Sequence, residues 1–420
     1  MVSNELIPHL FRTEYSKIVT VLTKLFGLEH VEIAEDITSE TFMLAVETWP
    51  YKGIPENPAA WLYTVAKNKT KNHLTRNRIF EEKVVQNLKS NSDYSESIRI
   101  DLSNKNIKDS QLQMLFTICH PTISVESQIC MALRILCGFG INEIADALLS
   151  NSETIHKRLQ RAKEKLRTDN IEIEFPNANQ LNERLETVLQ TIYLLFSEGY
   201  YSESNNLIIR KELCVDAINL TYLLLENPLT NTHPTNSLMS LMCFHASRLE
   251  ARQSEKETII LYDEQKKDLW DTEFIEKGFY YLQQASKWEI ASKYYIEASI
   301  AYWHTVDNDI ACKWENILKL YDALLLVDNS SIIALNRMVS LSKVHGNLIA
   351  IQETEKLNLS KNHFYYILLA ELYMDINIDK SLENFQSALD ICKTNAEKEL
   401  IISKFEIIKS RPHNNQEFMW

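Results

Sequence analysis

Glycine and proline are scarce: the 420 residues contain 7 and 9 of them. Sheets, barrels and glycine-rich phosphate loops depend on the turns these residues supply, so their scarcity points to an all-α chain. Cysteine occurs seven times, an odd number, with no CxxC and no Cys/His pair at metal spacing. That pattern excludes a disulfide framework and a zinc-type centre, and reads as reduced, buried thiols. Cys119-His120-Pro121 has no partner at a useful spacing, so it reads as a packed thiol before a proline-initiated helix. No run of about 18 apolar residues occurs, so no segment is long enough to span a bilayer. The opening Met1-Val2-Ser3-Asn4-Glu5 has neither the basic nor the apolar region of a signal peptide. The expectation is a cytoplasmic protein with no membrane partner, no metal and no cofactor.

Basic residues are outnumbered, 44 to 57, for a net charge of −13. A balance of that sign argues against nucleic acid, but its distribution reverses the argument. Residues 1–170 hold 21 basic and 21 acidic side chains, and residues 171–420 hold the remaining 23 and 36. Screened fields act over about 10 Å, so local basic runs in the balanced part remain free to bind phosphates.

The most specific stretch runs from Glu35 to Arg78 and reads as two helices. In the first, Asp36, Glu40, Met43 and Glu47 recur at helical spacing on one face, while Ile33, Ile37, Leu44 and Ala45 fall on another. A loop, Pro50-Tyr51-Lys52-Gly53-Ile54-Pro55-Glu56-Asn57-Pro58, leads to a second helix that starts Ala60-Trp61-Leu62-Tyr63. That helix ends basic, through Lys67, Lys69, Lys71, Arg76 and Arg78, with Asn68, Asn72 and His73 as hydrogen-bonding groups. Either helix alone reads first as a bundle helix with a solvated face.

Together they resemble region 2 of the sigma-70 family, in its small extracytoplasmic-function (ECF) branch. The resemblance covers residues 6–80 and rests on Ala34-Glu35-Asp36 with Glu40 and Phe42, and on Ala60-Trp61-Leu62. It implies that Asp36, Glu40, Met43 and Glu47 dock on the β' clamp helices of core RNA polymerase. It also implies that Tyr51, Asn57, Trp61, Tyr63, Lys67, Asn68, Lys71, Asn72, Arg76 and Arg78 meet promoter DNA at the −10 element. A flipped base needs hydrogen-bonding groups over an apolar floor, which the loop beside Trp61 and Tyr63 would provide.

Residues 81–109 contain a polar Ser/Asn-rich run, residues 87–96, and read as a linker. Residues 110–168 have the form of a helix-turn-helix. Ile141, Ile144, Ala145 and Leu148 line the inner face of its first helix. Ile155, Leu159, Ala162 and Leu166 line the inner face of its second, which Asn151 or Ser152 caps. Glu153, His156, Lys157, Gln160 and Arg161 are left outward where a recognition helix meets base edges, and Lys163, Lys165 and Arg167 extend the basic surface towards phosphates. The stretch resembles sigma region 4, through Thr154-Ile155 and Arg158-Leu159-Gln160-Arg161-Ala162-Lys163. Leu149-Ser150-Asn151 stands where that family has Gly-Ile-Pro. The implied −35 contacts are Ser152, Glu153, Thr154, His156, Lys157, Arg158, Arg161, Lys163 and Lys165, with the β flap as a second polymerase contact.

Residues 180–285 are acidic and aromatic, and look like the helical extension of one group of ECF sigma factors. Ser197 replaces the Asn of that group's Phe-Asn-Glu-Gly-Tyr motif. Glu198, Arg210, Arg248, Arg252, Asp263 and Asp268 lack a nucleophile or metal-ligand spacing and read as ion pairs between helices. Residues 286–410 look like tetratricopeptide (TPR-like) helix pairs, with a protein or peptide ligand expected on them. The whole reads as a sigma factor that directs transcription initiation, with a C-terminal part modulating it in cis. The alternatives are a helix-turn-helix regulator carrying a TPR-like interaction domain, and a repeat-based adaptor.

Overall fold

The computed structural model describes residues 2–85, 100–148, 150–200, 210–252, 260, 262–287, 292–306, 312–392, 398, 401–402 and 404–406. The Ser/Asn-rich run at 87–96, Leu149, and the side chains of Arg78 and Asp263 lie outside the described residues. Among the described residues the chain is helical with no strand, as the scarcity of turn residues leads one to expect. It divides into two units, residues 1–195 and 196–420.

The first unit opens with α1 (Val2–Phe26), α2 (Val31–Lys52) and α3 (Pro58–Val85). Their shared core is largely aliphatic: Ile18, Val19, Leu22, Ala34, Ala45, Leu62 and Ala66 are fully buried. Buried threonines tolerate this core because each returns its hydroxyl to the carbonyl one turn back, as Thr20, Thr38, Thr41 and Thr70 do at 2.7–2.8 Å. The sequence places the end of α2 at Trp49. The helix instead runs through Pro50 to Lys52 and stops at Gly53, whose φ of 83° suits glycine and whose N–H returns to Trp49 O at 3.0 Å. Pro58 then starts α3, with Asn57 accepting from Ala60 N–H at 3.0 Å.

The unit continues with α4 (Asn104–Ile118) and α5 (Val125–Met131), which passes into one π-helical turn at Ala132–Leu136. Next come α6 (Ile141–Ala147) and α7 (Ser152–Thr168). Both α4 and the π turn pack on α1. The first part of α8 (Leu181–Tyr200) also belongs here. Leu185, Val188, Leu189, Ile192 and Leu195 are buried, Arg184 donates to Phe116 O, and Thr191 donates to Gln128 Oε1 at 2.6 Å. Gln128 in turn holds the carbonyls of His120 and Ile123, both at 3.1 Å.

The second unit is built around α10 (His233–Ala246), whose Leu238, Met239, Met242, Cys243 and Phe244 are fully buried. Against it pack α9 (Lys211–Leu225), α11 (Thr272–Ala285) and α12 (Lys293–Thr305). The end of α8 meets α9 at Gly199. A Cβ there would lie 2.9 Å from Arg210 O and from Cys214 Sγ, so only glycine allows the approach. The chain then runs through α13 (Lys313–Val327), α14 (Ser331–His345), α15 (Asn347–Lys356), α16 (His363–Tyr373) and α17 (Ile378–Ile391), each packing on the next. Short side-chain caps start several of them, such as Ser330 on Ile333 N–H at 3.3 Å and Asn377 on Lys380 N–H at 3.0 Å.

Candidate nucleic-acid interface

In α2 the buried set Ala34, Ile37, Thr38, Thr41, Phe42, Ala45 and Trp49 fixes the helix's rotation on α1 and α3. That rotation turns Asp36, Glu40, Met43 and Glu47 to solvent together. Met43 is 61% exposed and Val46 beside it 53%. Val46 escaped the sequence reading, although it falls outside the core stripe by spacing alone. Carboxylates thus surround two exposed apolar side chains on this face. One carboxylate is already engaged: Lys69 of α3 reaches Glu40 at 2.7 Å.

Tyr51, in the last turn of α2, is 90% exposed, and Ile54 and Asn57 in the loop that follows also lie at the surface. Trp61 is half-buried and meets Trp49 edge-on, ring centroids 5.4 Å apart. That contact supports the floor of the loop. Tyr63 behaves differently, donating its hydroxyl to Glu14 of α1. Burial raises its phenol's pKa, and the bond to Glu14 raises it further. The Tyr63 hydroxyl is thus engaged within the first unit, while Trp61 keeps a half-buried ring beside the loop. Beyond it Asn68, Lys71, Asn72 and Arg76 are exposed and Lys67 half-exposed along α3.

In α7 the inner face is Ile155, Leu159, Ala162 and Leu166, all buried, as their spacing predicts. Asn151 caps the helix through Thr154 N–H at 2.7 Å, and Ser152 Oγ donates to Asn142 Oδ1 of α6 at 2.6 Å. Ser152, Glu153, His156, Lys157, Gln160 and Arg161 face solvent, with Lys157 held to Glu153 at 2.5 Å. Thr154 is half-buried. Arg158 turns towards α5, where burial raises the Cys130 thiol's pKa and Arg158 opposes the rise. Lys165 pairs with Asp169 at 2.9 Å.

Lys163 does not stand free. It pairs with Glu32 in the first turn of α2, and one turn along Arg134 reaches Glu35 at 2.6 Å while also holding Phe139 O at 3.0 Å. Burial is the largest single influence on Glu32 and raises its carboxyl's pKa, but the bond from Lys163, a backbone hydrogen bond and the charges of Lys163 and Arg134 together outweigh it and lower the pKa. No sequence signal connects these residues, which lie about a hundred positions apart.

Among the described residues no group of three His, Cys, Asp or Glu side chains gathers to hold a metal ion. Cys119 is fully buried, and burial pushes its thiol up to about 12. In the second unit Arg248 meets His245 Nδ1 at 3.3 Å and lies over the Tyr262 ring, and Arg252 lies 4.0 Å over the Tyr200 ring. No described helix is long and apolar enough to cross a membrane.

Residues 10–79 match sigma-70 region 2, and residues 184–286 match a family of unknown function (DUF6596). An uncharacterized protein of Rhizobium meliloti (strain 1021) is 31% identical over 340 residues, 80% of each chain. No solved structure matches.

Proposed function

We propose, from the match of residues 10–79 to sigma-70 region 2 and from the family shared with the Rhizobium meliloti protein, that this chain is a sigma-70 factor of the ECF type whose helical C-terminal part acts in cis on initiation. Its role is in transcription initiation, and sigma-70 factors are non-enzymatic regulators: the bond-making chemistry belongs to the polymerase. The observation that carries the finer reading is the α2 face. Asp36, Glu40, Met43 and Glu47 are jointly exposed on a helix whose opposite side is fully packed, inside the segment that matches region 2. In this reading that face grips core RNA polymerase at the β' clamp helices. Tyr51, Asn57 and Trp61, with Lys67, Asn68, Lys71, Asn72 and Arg76, take the −10 strand. The α6–α7 pair is the helix-turn-helix of region 4, reading the −35 element through His156, Lys157 and Arg161 and meeting the β flap. The helices from α12 onward are TPR-like pairs offering a surface to a protein or peptide. The protein works in the cytoplasm, where polymerase and promoter are.

The test is run-off transcription with purified core polymerase. Specific transcripts that depend on this chain, and promoter binding that depends on core, support the reading. Equally tight and specific promoter binding without core would instead make it a stand-alone helix-turn-helix regulator.

A further inference from the structure

The second unit carries a cavity whose lining takes no part in the functions proposed above. It opens between the C-terminal ends of α9 and α11 and the first turn of α10, with a volume of about 460 Å³. Small-molecule sites run from roughly 300 to 1,000 Å³. Tyr222 of α9 and Tyr280 and Tyr281 of α11 wall it. Tyr281 meets both of the others edge-on: its ring centroid lies 6.2 Å from that of Tyr222 at 71°, and 5.1 Å from that of Tyr280 at 77°. The carboxamides of Asn231, Asn236 and Gln284 make up much of the remaining wall, and Glu226 and Lys287 add one charge of each sign.

The carboxamides are pinned in a way that leaves polar atoms to spare. Asn236 is only 5% exposed. Its Nδ2 donates to Asn231 Oδ1 at 2.7 Å and to Thr232 O at 2.8 Å, which uses both hydrogens. Asn231 is itself tied through Nδ2 to Leu225 O, at the end of α9, at 3.0 Å. Among the described residues nothing donates to Asn236 Oδ1. Gln284 Oε1 accepts from Lys287 Nζ at 2.6 Å, and among the described residues Gln284 Nε2 has no acceptor. A largely buried acceptor is costly to leave without a donor, so a hydroxyl from solvent or from a ligand completes it.

We propose that this cavity binds a neutral saccharide, one or two pyranose rings in size. A pyranose has an apolar C–H face edged by hydroxyls, each both donor and acceptor. Its C–H groups suit the negative face of a tyrosine ring. Its hydroxyls give Asn236 Oδ1 the donor it lacks and accept from Gln284 Nε2. Other classes fit less well. A flat heteroaromatic base needs parallel walls to stack between, and these rings stand closer to perpendicular. A cation would suit three tyrosines and Glu226, but the Lys287 ammonium lines the same space and repels it. An apolar ligand would bury the carboxamides with their spare atoms unpaired.

The experiment uses the full chain. Maltose, cellobiose, trehalose and N,N'-diacetylchitobiose are the probes, with choline and adenosine standing for the other classes. Binding is read by isothermal titration calorimetry and by the melting transition of the second unit. At least one disaccharide should bind, and at ten times its dissociation constant it should raise that transition by about 3–6 °C. Tyr280→Ala should weaken binding by roughly tenfold, whereas Tyr280→Phe, which keeps the ring, should stay within about threefold of wild type. Tyr280 is 54% exposed, so neither change disturbs the packing. Gln284→Glu keeps an acceptor for Lys287 but removes the Nε2 donor, and should also weaken binding by roughly tenfold. The proposal is overturned if none of the four disaccharides gives heat or a melting shift at about 50 mM, far above a millimolar dissociation constant. It is equally overturned if the disaccharide that binds does so as tightly to Tyr280→Ala and Gln284→Glu as to wild type. Binding of choline or adenosine alone, lost in the same variants, would keep the cavity as a site and overturn the saccharide.

Discussion

Tyr63 of α3 donates its hydroxyl to Glu14 of α1, while Trp61, two residues earlier, lies against Trp49 beneath the exposed loop. Residues two apart on a helix face different ways, so two aromatics that read as one motif have separate tasks. Glu14 is buried, and Tyr63 is one of its hydrogen-bond donors.

Tyr63→Phe should therefore act on stability. Leaving a buried carboxylate short of a donor costs about 1–3 kcal/mol, visible as a lower urea midpoint. Promoter opening by the folded fraction should match wild type. Trp61→Ala should reduce opening, read with a base-analogue fluorophore in the −10 element, beyond what its stability loss explains. Equal opening defects in both would unite the two side chains again.

For polymerase binding, Asp36→Arg with Glu47→Arg is the sharper reversal, because Glu40 is already held by Lys69 at 2.7 Å. Charge reversal across a complementary interface costs several kcal/mol. Association with core, measured by fluorescence anisotropy, should be lost while helical content stays normal. Unchanged affinity would remove this face from the interface.

Much of this was legible in advance where periodicity carries the information. The buried set Ile155, Leu159, Ala162 and Leu166 follows from a 3.6-residue repeat, and Asn151 from the chemistry of caps. Proline reads as a helix stop, yet Pro50 sits in the last turn of α2, near the exposed Val46 whose freed carbonyl can face water. Helix α15 lies between the helix pairs read from sequence and carries only Ala350, Ile351 and Thr354 as buried residues, too few to repeat audibly. Contacts such as Lys163 with Glu32 depend on how two helices meet, and no local pattern encodes that.

Along α7, neutralising the outer positions should separate reading from anchoring. His156→Ala or Lys157→Ala should change preference at one or two upstream base pairs. Lys165→Ala should weaken every sequence alike and reduce the salt slope by roughly one unit. Binding isotherms at several salt concentrations on two promoter variants distinguish these outcomes. A uniform loss from all three would mean that α7 does not read bases.

The second unit should weaken as pH falls. Burial, then the charges of Arg248 and Lys313, lower the His304 pKa to about 3. Burial, then Arg248, Arg252 and His304, hold His245 well below its ordinary range. Unfolded histidines titrate near 6.5, so between about 6.5 and the folded values the unfolded chain binds more protons. Stability is full above that window and declines as pH drops through it, by at most about 1.4 kcal/mol per pH unit for each histidine. Urea midpoints at pH 7.5, 6.0 and 5.0 should fall in that order, and His304→Gln should flatten the trend. A midpoint independent of pH down to 5 would contradict the buried, neutral state of both imidazoles.

Whether the C-terminal part acts in cis depends on where the chain is cut. The segment 110–168 reads as self-contained in sequence, which makes a stop after Thr168 the natural cut. It would remove the first half of α8, whose Leu185, Val188, Leu189, Ile192 and Leu195 are buried within the first unit. Each fully buried aliphatic side chain contributes about 1.5–3 kcal/mol, and a typical domain holds only 5–15 kcal/mol in total. Arg184 on Phe116 O and Thr191 on Gln128 would be lost as well. A chain ending at Thr168 should therefore unfold at lower temperature and fail in transcription for want of a folded α4–α7 segment. A chain ending at Leu195 keeps all of these contacts, so its melting transition should remain cooperative. Only the second truncation reports on regulation. If it transcribes a cognate promoter at a rate clearly above or below that of the full chain, the second unit modulates initiation in cis. If the two rates are equal, residues 196–420 form a separate interaction module, and the cis role proposed for them is wrong.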